Sequence, residues 1–288
     1  MNPTATTDRA SLSPAARHWR RIVRSRAVWI GLSIVSLFVL MALLAEVISP
    51  YGPDFRAKEP LEPPSWNHWM GTDEHQKDVL TRVIYGSRLS LLAGGLSVIL
   101  AVFIGVPLGA FAGYYGGVVD QWLMRSIDIA LAFPGILIAL LVASALQPGW
   151  IAVIIAVGLI NVPVFARQIR STVLTMRELD YVLASRAMGA STWHILTYAL
   201  IPGIVSPVIV LATLGLGNAI LEVAGLSFLG IGGDPTNPEW GSMLRQAKEY
   251  LPLSLWPAIG PGVSISLTIL GLNLLGDGLR DVLDPRLD

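Results

Sequence analysis

The sequence lacks cysteine altogether and has only three lysines, Lys58, Lys77 and Lys248, among its 288 residues. Without cysteine the chain cannot form disulfides, thiolate metal sites or a cysteine nucleophile. None of the lysines follows a glycine, so the Gly-Lys pair with which a P-loop binds nucleotide phosphates is absent. The chain therefore cannot itself be a P-loop ATPase.

Histidine is scarce as well, and the four that occur are His18, His68, His75 and His194. They show no HExxH pattern and no paired ligand spacing on one helix. A weak outer metal site at His68 and His75 stays open, but solvated loop positions are favoured for both. A GxSxG motif is absent too. The residues predict neither a catalytic site nor a resident metal.

Charge is low: 14% of the residues are charged, 53% are hydrophobic, and the net charge is zero. This is too apolar for an ordinary soluble domain. Zero net charge also argues against a nucleic-acid partner. The composition predicts an integral membrane protein, with the lipid bilayer as its surroundings.

The sequence contains several long apolar runs with few charged residues. A helix needs about 20 apolar residues to cross a membrane, and open strands cannot cross lipid. Six runs qualify: Val28 to Ile48, Leu89 to Ala112, Ile127 to Leu146, Trp150 to Arg167, Ile204 to Phe228 and Pro257 to Leu275. The third contains Asp128 and is broken by Pro134. We predict an all-α integral membrane protein with six transmembrane helices.

The distribution of lysine and arginine predicts the orientation. If the amino end is cytoplasmic, thirteen arginines lie on the inner side and seven lysines and arginines on the outer side. Both termini are therefore expected in the cytoplasm. We divide the chain into a cytoplasmic amino-terminal tail, 1–26, and a transmembrane domain, 27–288. The domain has outer loops at 49–88 and 231–256 and an inner loop at 168–203.

Each outer loop contains a predicted helix. Asp73 and Gln76 form a capping-box pattern, and the apolar stripe that follows predicts a helix along the outer interface before the second span. A membrane-surface role and a gating role are both open. In the second loop a helix opens at Pro238 and Glu239. It is either a receiving surface for an external protein or a plain interfacial helix.

Two features inside the spans stand out. Gly105, Gly109 and Gly113 recur every four residues and predict a smooth strip for close helix packing, within the bundle by default and between subunits as the alternative. Glu222 is the one acid well inside an apolar run. One acid is too little for an ion-coupled transporter. We expect it near the outer rim or paired with a neighbouring subunit, and it is our candidate pathway residue.

The stretch from Arg177 to Pro202 interrupts two apolar runs. Its periodicity predicts a helix, a tight turn at Gly189 in the left-handed conformation, and a second helix capped by Ser191. Small residues crowd this piece: Ala184, Ser185, Ala187, Gly189 and Ala190. Its backbone is therefore suited to close approach by another protein surface.

This stretch resembles the cytoplasmic coupling loop, or EAA motif, of ATP-binding-cassette (ABC) import permeases. That motif reads roughly E-A-A, three residues, G, nine residues, then an apolar residue, any residue, L and P. Here it is 183–185, Gly189 and 199–202, with Leu183 in place of Glu and Ser185 in place of the second Ala. Together with LSFLGIGGDP and PEWGSML, the segment DYVLASRAMGAS resembles the C-type permease of dipeptide, oligopeptide and nickel importers. The resemblance extends from Ala27 to Leu287.

The resemblance implies a permease subunit in the cell inner (plasma) membrane, with peptides as the expected cargo. Its partners would be a homologous B-type permease, two ABC ATPases that bind ATP and Mg, and an external solute-binding protein. The chain itself would hold no cofactor and would form half of the translocation pathway. The coupling residues it implies are Glu178, Asp180, Tyr181, Ala184, Ser185, Arg186, Ala187, Gly189, Ala190 and Ser191. A self-contained secondary transporter or channel is the alternative.

Overall fold

The fold is helical throughout the part of the chain that the computed structural model describes, residues 25–147, 149–232 and 237–283. These residues form no strand, only an isolated bridge between Thr72 and Asp78. The predicted tail, 1–26, lies almost wholly outside them. The first helices are α1 (Arg26–Leu43), α2 (Ala45–Ile48), α3 (Val79–Tyr115), α4 (Gly117–Ala132), α5 (Gly135–Ala145) and α6 (Trp150–Met176). The others are α7 (Asp180–Ala187), α8 (Thr192–His194), α9 (Ile201–Phe228), α10 (Trp240–Tyr250) and α11 (Trp256–Leu283), with a π-helical stretch at Ile195–Leu200.

Five helical segments are long and apolar enough to cross a membrane: Arg26–Leu43, Val79–Tyr115, Trp150–Met176, Thr192–Phe228 and Trp256–Leu283. A sixth arises if α4 and α5 together count as one span. These two helices meet at 93°, at the break that Pro134 predicts within the third run. Pro134 explains the break, because it disfavours helical backbone at Phe133, whose ψ is 146°.

The outer segment differs from its prediction. Asp73 does not start a helix; Asp78 does, and its Oδ2 accepts a 2.7 Å hydrogen bond from the Thr81 amide. Asp73 instead accepts bonds from the amides of His75 and Lys77 in a tight loop. The helix from Val79 then continues unbroken into the second span, and Val79 is buried. There is no separate interfacial helix, because its apolar stripe packs into the protein.

The glycine strip of α3 lies against α6 of the same chain. A Cβ on Gly105 would come within 2.8 Å of the Val162 carbonyl oxygen, and one on Gly109 within 2.3 Å of the Ala166 oxygen. A Cβ on Gly113 would lie 2.9 Å from the carbonyl oxygen of Arg170. The two backbones are therefore in contact along the strip, which only glycine allows. With α9 and α11, this pair forms the centre of the bundle.

Helix α10 is built into the bundle rather than lying on its surface. Glu239 caps it by accepting 2.8 Å hydrogen bonds from the amides of Gly241 and Ser242. Trp240 is fully buried, donates a 3.0 Å bond to the Val83 carbonyl and meets Phe38 edge to face at 5.5 Å. The helix thereby ties the outer ends of α1, α3 and α9 together.

Candidate functional site

The loop from Arg177 to Pro202 has the local structure that its sequence predicts. Helix α7 ends before Gly189, which takes φ +80°, and the Ser191 hydroxyl accepts a 3.3 Å bond from the His194 amide. The second helix does not stop at the membrane, because α8, the π-helical stretch and α9 run on as one segment to Phe228. Residues 168–176 likewise belong to α6. The loop proper is therefore α7 and its two turns.

One side chain anchors α7 to the ends of the spans. Val182 is fully buried in a cluster with Ile169 and Val173 of α6 and with Ile195 and Ile204 at the start of the next span. Since α7 has few residues, burying this one valine holds it against both spans at once. Helix α7 therefore packs against two candidate membrane helices.

Polar contacts tie the same helix to the inner end of α3. The Arg186 guanidinium lies 5.5 Å from the centre of the Tyr114 ring, a cation–π distance. Just before α7, Arg177 donates a 2.9 Å hydrogen bond from Nη1 to the Gly113 carbonyl oxygen. The Tyr181 hydroxyl approaches the Ala199 carbonyl oxygen at 3.4 Å. The helix therefore contacts three spans of the bundle.

The side of α7 away from Val182 is exposed. The residues of the predicted coupling set on this side are exposed, except that Ser185 and Ala190 are half-buried. Apolar side chains that were not in that set are exposed with them: Leu179, Leu183, Met188 and Trp193. Met188 is 81% exposed, which is unusual for methionine outside a binding surface. We call this face, 178–193, the inner docking face, after the side and the role that the sequence predicts for it.

Glu222 is paired inside the chain. Asn161 of α6, which is buried, donates from Nδ2 a 2.6 Å hydrogen bond to Glu222 Oε2 and a 2.9 Å bond to the Val157 carbonyl oxygen. Glu222 is partly exposed. The expected pairing with a neighbouring subunit is not needed to satisfy this carboxyl. Asn161 was missed because a single amide in an apolar run carries no spacing signal.

Two ion pairs join α4 to α6. Arg170 forms a two-pronged pair with Asp120, and Arg167 pairs with Asp128. The second pair is more than half exposed. Charged side chains in spans face protein or water rather than lipid. This side of α4 and α6 therefore faces away from the acyl chains.

At the end of α9 that is farther from α7, a pocket of about 240 Å³ lies between the loop around Glu74, the end of α9 and α10. We call it the outer pocket, after the side of the membrane that the sequence predicts for it. Its charged lining residues are Glu74, His75, Arg245 and Glu249. Burial raises the pKa of the Glu74 carboxyl above its ordinary value, and the nearby Asp73 adds to the rise. This pocket could not be predicted from the sequence, because its walls come from segments that are far apart in the chain.

The two histidines of the outer segment are not brought together as ligands. His68 is buried, with Nδ1 3.0 Å from Asp78 Oδ1, whereas His75 is exposed. Among the described residues no three His, Asp or Glu side chains are grouped so as to hold a metal. His68 instead helps to fix the amino-terminal end of α3.

The sequence and the fold were compared with known proteins. Residues 105–288 match the family model described as binding-protein-dependent transport system inner membrane component. Residues 13–64 match that of the N-terminal transmembrane domain of oligopeptide transport permease C. Among solved structures, an inward-facing methionine ABC transporter, MetNI, superposes with a TM-score of 0.59 at 19% identity, over 70% of this chain and 97% of that one.

Two relatives cover almost the whole chain. A dipeptide transport system permease protein of Alkalihalophilus pseudofirmus is 39% identical over 99% of this chain and 94% of its own length. A glutathione transport system permease protein of Pectobacterium atrosepticum is 41% identical over 97% and 94%. The resemblance inferred from the coupling loop is confirmed. The chain belongs to the family of binding-protein-dependent transport system inner membrane components: it is a multi-pass permease subunit of an ABC importer in the inner membrane, a family in which other subunits carry the ATPase activity.

Proposed function

We propose that this permease imports short peptides. The support is that relatives at about 40% identity over nearly the full length are named for dipeptide and glutathione transport. Glutathione is itself a tripeptide, so both names describe small molecules with peptide bonds and charged ends. The translocation pathway would run between this chain and a homologous B-type permease, each providing half of the wall.

The inner docking face is proposed to receive an ABC ATPase. The single observation that supports this role is the two-sidedness of α7: Val182 is buried against α6 and the start of the α9 segment, while Met188 and Leu183 are exposed. A partner that moves α7 therefore moves both spans. ATP-driven closure of two ATPases would tilt the bundle between outward and inward openings.

Within this face the predicted coupling residues have distinct roles. Asp180 and Arg186 would provide charged contacts to the ATPase, and Ala184 and Ala187 would allow its backbone to approach closely. Gly189 would set the angle between the two halves of the loop. Leu183, which replaces the glutamate of the family motif, is 41% exposed and would make an apolar contact instead.

The membrane arrangement that goes with this function has both termini in the cytoplasm. Residues 1–26 would be a cytoplasmic tail and 27–288 the permease domain, with outer loops 49–88 and 231–256 and the coupling loop 168–203. The α4–α5 pair would be the third of six spans. Glu222, held by Asn161, is proposed to lie along the pathway, and an external solute-binding protein would deliver cargo to the outer loops. No observation favours the alternative of a self-contained secondary transporter or channel.

The test is a Gly189→Pro substitution in the complex purified from its native membrane and reconstituted in liposomes. Proline requires φ near −65°, whereas Gly189 has +80° and donates a 3.0 Å bond from its amide to the Arg186 carbonyl oxygen. We expect the complex to assemble but to lose cargo-stimulated ATP hydrolysis and dipeptide uptake together.

Gly189→Asn is the matched control. Asparagine tolerates positive φ, and nothing lies within 4 Å of a Cβ at this position. We expect this variant to keep most of its uptake. Unchanged uptake in Gly189→Pro would show that the loop is a passive connector, and equal loss in both variants would assign the defect to side-chain bulk rather than to the turn.

A further inference from the structure

The outer pocket between the Glu74 loop and α10 contains a buried acid, one of whose oxygens has no hydrogen-bond donor. The Glu74 side chain is only 6% exposed, yet its Oε2 accepts no hydrogen bond. Its other oxygen, Oε1, lies 3.7 Å from Nε2 of the exposed His75 imidazole. A buried carboxyl oxygen without a donor costs free energy, and natural proteins keep few of them. This one lines the pocket.

The opposite wall of the pocket contains two charged side chains that make no ion pair within the described segments. Arg245 and Glu249 are one turn apart on α10, and both are exposed. Neither makes an ion pair with any residue in the described segments. The Arg245 guanidinium lies over Gly230. A Cβ at position 230 would be only 3.1 Å from the guanidinium carbon, so the glycine leaves space for the arginine side chain. Within the described segments, the pocket thus presents a cation and carboxyls that make no ion pair with one another.

From this pairing of charges we propose that the outer pocket binds a small zwitterion, the two charged ends of a short peptide, with its ammonium at Glu74 and Glu249 and its carboxylate at Arg245. A volume of about 240 Å³ lies below the range for drug-sized ligands and suits one or two amino-acid residues. A lone cation would not use Arg245, and a lone anion would not use Glu74.

The hydrogen-bonding lining agrees with a peptide ligand. Gln246, Tyr250 and Ser227 line the same pocket beside the charged groups. Such groups can donate to or accept from a peptide amide, whereas an apolar solute offers them no hydrogen bond. The choice of a dipeptide as probe rests on the proposed peptide cargo. The pocket itself is separate from the inner docking face and from Glu222.

The test measures binding of L-alanyl-L-alanine to the full-length chain, co-purified with its partner subunits in lipid nanodiscs, by calorimetry without ATP. The comparison ligands are the N-acetylated dipeptide, which lacks the ammonium, and the dipeptide amide, which lacks the carboxylate. We expect each blocked ligand to bind at least about tenfold more weakly, because each loses a charge-assisted hydrogen bond. Glu74→Gln and Arg245→Gln should weaken the unblocked dipeptide by a similar factor.

Glu59→Gln and Lys248→Gln are the matched controls, since Glu59 is exposed outside the pocket and Lys248 lies on α10 against the Phe228 ring. Both should bind as wild type. Equal binding of blocked and unblocked ligands, unchanged binding in the Glu74 and Arg245 variants, or no binding at all would each overturn the proposal. The pocket could instead receive a side chain of the external binding protein. In that case the wild type would not bind the dipeptide, and Glu74→Gln would weaken docking of the binding protein. Because binding is read without ATP, failure here is distinct from failure of the coupling test.

Discussion

Asn161 and Glu222, 61 positions apart in sequence, are joined by a 2.6 Å hydrogen bond from Nδ2 to Oε2. The contact links α6, which runs to the coupling loop, to α9, which begins there. Because the same two helices also hold Val182 of α7 in their inner ends, they are connected at two depths of the bundle. The pair therefore belongs to the framework through which motion of α7 would spread.

Replacing Asn161 with leucine should destabilise the protein by about 1–3 kcal/mol, because the Glu222 carboxyl loses its donor inside the bundle. The measurement is thermal unfolding of the purified complex in detergent. The double variant Asn161→Leu, Glu222→Leu should recover most of the loss, since no polar group is then left unpaired. If the two single effects simply add in the double variant, the hydrogen bond contributes nothing to stability.

Gly109→Ala should be among the most damaging single-methyl additions. Its Cβ would lie 2.3 Å from the Ala166 carbonyl oxygen, and backbone cannot move aside as a flexible side chain can. We expect α3 and α6 to separate at a cost of about 1–3 kcal/mol, again measured by thermal unfolding.

Gly95→Ala is the control on the same helix. Nothing lies within 4 Å of a Cβ there, and alanine is the better helix former. This variant should be neutral or slightly more stable. If Gly109→Ala leaves the isolated chain as stable as Gly95→Ala does but prevents assembly, the strip would act between subunits instead.

The spans, the turn at Gly189 and the cap at Ser191 could be predicted from the sequence, because each depends on residues that are close together in the chain. It misplaced the start of α3: Asp73 and Asp78 are both acids ahead of the same apolar stripe, and the 2.7 Å bond from the Thr81 amide is visible only in three dimensions. The 93° bend had a local signal in Pro134, but its size depends on packing.

The candidate sites also differ in whether the sequence could predict them. The inner docking face was predictable because it lies in one continuous stretch. The Asn161–Glu222 pair and the outer pocket were not, because Glu74 and Arg245 come from opposite ends of the chain and have no spacing relation. Only the folded bundle brings them together.

Glu74 also predicts a pH dependence. Its pKa is raised above the ordinary 4.5, first by burial and then by Asp73, with His75 and Arg82 opposing the rise. The folded state therefore binds this proton more tightly than the unfolded state does. Its contribution to stability is fully present below pH 4.5 and is lost as the pH rises through the folded pKa.

Melting temperatures measured from roughly pH 4 to pH 8 should show this decline in the wild type. In Glu74→Gln that component should vanish, because an amide does not titrate, whereas Glu59→Gln should keep it. Parallel curves for wild type and Glu74→Gln would mean that other groups cause the dependence.

Trp240 has a different role from the other outer tryptophans. Trp240 is completely buried, with its ring against Phe38 and its indole N–H on the Val83 carbonyl oxygen, whereas Trp66 is 95% exposed. Exposed tryptophans at the outer side are typical of the membrane interface. The two residues therefore provide a matched comparison of the same side chain in two surroundings.

Trp240→Ala should lower the free energy of unfolding by about 3–5 kcal/mol, because it leaves a large cavity and an acceptor without its donor. It should also release α10, so that limited proteolysis from the outer side cuts near 237–250 in the variant but not in the wild type. Trp66→Ala should leave both unfolding and cleavage in detergent unchanged, since it empties no buried space. If Trp240→Ala remains stable and protease-resistant, α10 is held by contacts other than those of Trp240, and the edge-to-face contact with Phe38 is incidental.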